Sequence, residues 1–67
     1  MKNKALESNL KHVEKKAHNL QKDIESIARE SEPKYAETSL HEFLIESNLK
    51  AIESYENIQL ALNELRG

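Results

Sequence analysis

The chain has 67 residues, ten Lys and Arg against twelve Asp and Glu, a formal charge of -2 and no cysteine. Such a length is read as one domain, residues 1–67, near the lower limit for independent folding. The missing cysteines exclude disulfide staples and thiolate metal sites, and the near-balanced charge gives no strong polyanion signal.

The opening residues, MKNKALESNLK, carry no apolar segment of the kind a secretory signal needs. No apolar run exceeds three residues, whereas a membrane-spanning helix needs about 20. The expected setting is cytoplasmic, away from any membrane.

In the first half, apolar residues fall at Leu6, Leu10, Val13, Ala17, Leu20, Ile24 and Ile27. The alternating steps of four and three are a heptad spacing and exclude the period of a strand. In heptad letters, Leu10, Ala17 and Ile24 are a positions, while Leu6, Val13, Leu20 and Ile27 are d positions. The spacing predicts a helix from about 4 to about 30. Ala17 is its thin point, where a partner helix can come close or present a larger side chain.

A connection is expected over about 31–38, in the segment SEPKYAETS. Two helix starts compete there. Ser31 can cap a helix with Pro33 in its first turn, so that the helix begins near 34. Ser39 with Glu42 forms a capping box for a start near 39, with Thr38 as a rival cap. Ala36 and Leu40 continue the apolar stripe and favour the earlier start.

The second stripe runs through Leu44, Asn48, Ala51, Tyr55, Ile58, Leu62 and Leu65, predicting a helix that ends near 65. Asn48 is its one polar member, placed either to fix register or at a frayed edge. Apolar residues continue beyond this seam at Leu40, Phe43, Ile45, Leu49, Ile52, Leu60 and Ala61. The first helix instead flanks its seam with Glu7, Glu14, Asn9, Lys16, Gln21 and Asp23.

The short connection predicts antiparallel neighbours. The fold class is therefore an all-α antiparallel two-helix hairpin, expected to dimerise into a four-helix bundle. Leu6, Leu10, Val13, Leu20, Ile24 and Ile27 are expected to face Leu44, Ala51, Tyr55, Ile58, Leu62 and Leu65. The interface with a second copy, or with a heterologous protein, is expected at Leu40, Phe43, Ile45, Leu49 and Ile52, because a wide apolar face on a small protein marks an interaction surface.

No enzyme motif is present, and the chain is read as non-enzymatic, without metal or cofactor. Glu14–His18 and Glu37–His41 have metal-pair spacing but lack a third ligand, and His12, His18 and His41 read as solvated helix residues. Glu42, Glu46, Glu53 and Glu56 read as solubilising charge. Tyr55 should bury its ring on the seam, and Tyr35 should pack across the open end of the hairpin.

Charge divides unevenly. Residues 2–22 carry six Lys against Glu7 and Glu14, a net of +4, while residues 33–67 carry three basic and six acidic side chains, a net of -3. Attraction between antiparallel helices accounts for this division. The alternative is a nucleic-acid-associated protein using Lys11, Lys15, Lys16 and Lys22, although that stretch has neither Arg nor stacking aromatics.

Residues 43–53, FLIESNLKAIE, resemble part of the small bacterial sporulation inhibitors that block a histidine kinase with a helical hairpin. Leu44, Ile45, Glu46, Ser47, Lys50, Ala51 and Glu53 carry the resemblance. That family has the segment in its first helix and a basic second helix, neither of which is matched here, and no family is assigned. What the resemblance implies is an example: inhibition of a kinase or regulator is something a small interaction hairpin can do. The functional expectation is a small protein–protein interaction or regulatory protein.

Overall fold

A computed structural model describes residues 3–67; Lys2, counted above in the basic stretch, and Met1 lie outside the described residues. Asn3 begins the first helix: its backbone is extended and its side chain accepts a hydrogen bond from the Leu6 amide at 3.0 Å. From this cap α1 runs over Lys4–Tyr35, and α2 runs over Ser39–Arg66. The two helices pack against each other as a hairpin.

α1 extends past the expected end near residue 30. Pro33 sits inside its last turn rather than opening α2, and Ser31 is a buried helical residue rather than a cap. The physical reason is local. Proline's fixed φ suits a helix, and Pro33 removes only the hydrogen bond to the Arg29 carbonyl. Beyond it the Ala36 amide still reaches the Glu32 carbonyl at 3.1 Å, which completes the final turn.

The chain then reverses over three residues. Glu37 adopts φ 68°, and the Thr38 amide donates to the Tyr35 carbonyl at 3.0 Å. Thr38 wins the competition for the second cap: its hydroxyl accepts from the His41 amide at 3.3 Å, and it also donates to the Tyr35 carbonyl. The earlier start for α2 and the Ser39–Glu42 capping box are both corrected by this geometry. A threonine that closes the end of one helix and opens the next fixes both in one step.

Three cross-helix pairs define the register. Glu7 meets Arg66 at 3.4 Å, the rings of His18 and Tyr55 lie 5.0 Å apart, and Ser31 meets His41 at 2.7 Å. Their residue numbers add to 73, 73 and 72, so the antiparallel pairing holds without slip along the hairpin. The molecule is a rod, with extents of 48 × 14 × 11 Å.

α2 presents its expected seam. Leu44, Asn48, Ala51, Tyr55 and Ile58 are half-buried, and Leu62 and Leu65 are buried. Asn48 is therefore inside the pairing and not at a frayed edge. On α1 the expectation holds for Leu10 and Ile24 and fails for the other four. The buried and half-buried residues of α1 are Glu7, Leu10, Glu14, Ala17, Gln21, Ile24, Ala28 and Ser31, which are a and e positions, with His18 and Glu25 beside them at b. The d row, Leu6, Val13, Leu20 and Ile27, remains 44 to 57% exposed.

α1 is thus turned by roughly 50° about its axis from the expected packing, since one residue advances a helix by about 100°. Small side chains at Ala17, Ala28 and Ser31 let the backbones approach. Glu7, Glu14 and Gln21 can lie at the margin because their aliphatic stems cover apolar surface while their ends reach water or a partner. The Glu7 carboxylate does so, with Arg66 at 3.4 Å and Lys11 at 3.8 Å.

Candidate interaction surface

The turn of α1 divides the hairpin into two unlike long faces. On one face the d row of α1 stands as a ridge beside a row of small residues on α2. Leu20 lines a shallow hollow with Ala17, Ile24, Ser47, Ala51 and Ser54; Leu6 and Leu10 line a second with Ala61 and Leu65; Ile27 and Tyr35 line a third with Leu40 and Leu44. These hollows follow one another along the length of the hairpin. We call this the ridge face.

The five expected interface residues do not form one patch. Leu40 lies on the ridge face, and Phe43, the most exposed of them at 71%, lies on the same flank of α2 by helical angle. Ile45, Leu49 and Ile52 lie on the opposite flank. Ile45 and Leu49 are exposed, whereas Ile52 is half-buried against α1. The wide apolar face of α2 is therefore split, and the larger apolar surface involves α1. Sequence reasoning missed Leu6, Val13, Leu20 and Ile27 as surface residues. Their stripe was legible; the direction in which it points was not.

Of the four lysines of the alternative reading, Lys11, Lys15 and Lys22 share the outer flank of α1, within about 40° of one another, with Lys11 engaged by Glu7; Lys16 lies on another flank beside the d row.

The histidines require a correction. His12 is exposed, but His18 and His41 are half-buried at the helix pairing. His18 stacks at a tilt of 39° on Tyr55, whose ring is placed on the seam as expected. His41 bonds Ser31, whose hydroxyl donates to the Ala28 carbonyl at 2.8 Å. Among the described residues two polar side-chain atoms are buried without a hydrogen-bond partner, His18 Nδ1 and Asn48 Oδ1. Among the described residues, no group of three His, Asp or Glu side chains is placed to hold a metal ion.

Tyr35 is partly exposed at the end of the third hollow, with the Lys34 ammonium 5.6 Å from its ring centre. Among the described residues no helix is long and apolar enough to cross a membrane. These features define an all-α helical hairpin with an uncovered apolar face. Comparisons with protein-family models, with curated proteins and with solved structures find no match to this chain.

Proposed function

We propose that this chain is a small, non-enzymatic, cytoplasmic protein that acts by association, as a helical hairpin that pairs with a second copy in a four-helix bundle. The observation that carries this reading is the imbalance between buried and exposed apolar residues. Ala28, Leu62 and Leu65 are the buried hydrophobic residues, while ten large hydrophobic or aromatic side chains among the described residues are exposed. Ordering a chain costs roughly 1.5 kcal/mol per residue and apolar burial returns about 25 cal/mol per Å², so a core of that size leaves a lone hairpin marginal. A second layer over the exposed stripe supplies the missing burial.

The regulatory sense of the proposal is that the hairpin's surfaces, rather than a cleft, do the work. Nucleic-acid association is the weaker reading, because Lys11 is engaged by Glu7, Lys16 lies on another flank, and the basic stretch has neither Arg nor stacking aromatics. Sedimentation equilibrium across micromolar concentrations, with helicity followed on the same samples, tests the proposal. A dimer whose helicity falls on dilution is expected. A fully helical monomer at every concentration would leave the self-association reading without support and make the exposed face a bait surface for another protein.

A further inference from the structure

We propose that the ridge face is the dimer interface, closed by a two-fold axis parallel to the hairpin so that α1 of each copy packs on α2 of the other; this rests on the self-association proposed above. The first argument is directional. In a square four-helix bundle the core lies about 45° from the line joining two neighbours, and the apolar stripe of α1 is turned by roughly 50° from α2 toward this face. A hairpin complete in itself would point the stripe straight at its partner helix.

The second argument is shape. The cross-helix pairs place Val13 level with Ala61, Leu20 with Ser54 and Ile27 with Ser47, to within about 1.5–3 Å along the axis. A two-fold axis parallel to the helices preserves these heights in the other copy. Each of these three large side chains then meets a small one of the partner without sliding, as interdigitating layers require. A perpendicular axis would set ridge on ridge and leave the small rows facing each other across a void.

Area and charge agree. The 48 by 14 Å footprint offers about 670 Å² per copy, and about 1,300 Å² for the pair, within the ~1,200–2,000 Å² of stable interfaces. At the rim Asp23 of one copy comes level with Lys50 of the other, twice by symmetry. Lys50 already borders the Leu20 hollow and lies 3.7 Å from Glu46.

Because the chain has no cysteine, Leu20→Cys and Ser54→Cys each introduce a single thiol. Mixed, annealed and oxidised, the two variants should give a disulfide between positions 20 and 54 of different chains. Leu20→Cys chains that link to one another, with no 20–54 product, would overturn the arrangement in favour of α1 on α1. A dimer by sedimentation with no link in the mixture would overturn it in favour of another face, such as that of Ile45 and Leu49. A monomer by sedimentation would overturn the self-association beneath it. As a second measurement, Ser54→Leu should weaken dimerisation at least about tenfold, and adding Leu20→Ala to it should restore most of the loss by exchanging knob and hole. Ser54→Leu dimers as tight as the original chain's would sink the proposal.

Discussion

Ser31 Oγ and His41 Nδ1, ten residues apart across the connection, lie 2.7 Å from each other and tie the end of α1 to the start of α2. The serine hydroxyl has one proton, and it is donated to the Ala28 carbonyl at 2.8 Å. With that proton on Ala28 the hydroxyl accepts from the histidine, and we predict that the ring proton of a singly protonated His41 resides on Nδ1. Long-range ¹⁵N–¹H correlation spectra should show that tautomer for His41. In Ser31→Ala the preference should vanish, with stability reduced by about 1 kcal/mol in urea denaturation at fixed protein concentration. An Nε2–H tautomer in the unsubstituted chain would contradict the assignment.

Two leucines of α2, separated by a single residue, should differ sharply in their contribution. Leu62 is 2% exposed and packs against α1, whereas Leu60 is 64% exposed on the outer side. Leu62→Ala should lower stability by about 2–5 kcal/mol, enough to unfold a marginal hairpin at micromolar concentration. Leu60→Ala should change it by no more than about 0.5 kcal/mol. Denaturant midpoints of the two variants, measured side by side, check the contrast. Comparable losses from both would mean that Leu60 is also covered, by a surface other than the ridge face.

Glu37 holds φ 68° between the helices, a left-handed conformation that a side chain with a Cβ disfavours by roughly 1–2 kcal/mol. Glycine removes that strain but gives back about 0.4–1 kcal/mol through a freer unfolded chain. Glu37→Gly should therefore stabilise the hairpin by up to about 1 kcal/mol, raising the melting temperature by about 4–8 °C for each kcal/mol gained. A lowered melting temperature would show that the Glu37 side chain contributes something its exposed position does not reveal.

Periodicity made the two helices legible, and for α2 it placed the seam residue by residue from Leu44 to Leu65. For α1 the same kind of pattern identified the stripe but not its neighbour. A heptad row states which side chains share a face; it does not say how that face is turned relative to the neighbouring helix. Glu7, Glu14 and Gln21 looked like flanking solvent positions because side-chain type conceals how far a long polar residue can lie along apolar surface. Pro33 offered one of two competing starts for α2 because proline favours the first turn, yet the loss of one hydrogen bond near the end of α1 is tolerated. The half-burial of His18 and His41 depends on Tyr55 and Ser31, partners reached only through the antiparallel register. The surface followed the same logic. Leu40 and Phe43 were legible as exposed, but the split from Ile45 and Leu49 depends on where α1 settles.

Asn48 is the one polar residue of the α2 seam, and its Oδ1 is buried without a hydrogen-bond partner. Leaving such a group unsatisfied costs roughly 1–3 kcal/mol, so its replacement by a leucine of similar size should stabilise the helix pairing. A polar seam residue can also exclude wrong registers and assemblies, because alternatives would bury it among still more apolar neighbours. Asn48→Leu is therefore expected to raise the urea midpoint, by about 1–2 kcal/mol in stability, while loosening the choice of partner. Sedimentation velocity should then resolve species larger than the dimer, or a mixture of sizes. A lower midpoint would mean that Asn48 finds a hydrogen bond in the assembled protein, contributed by the second copy. A higher midpoint with an unchanged single species would assign the specificity elsewhere, to the large-on-small match of Leu20 with Ser54.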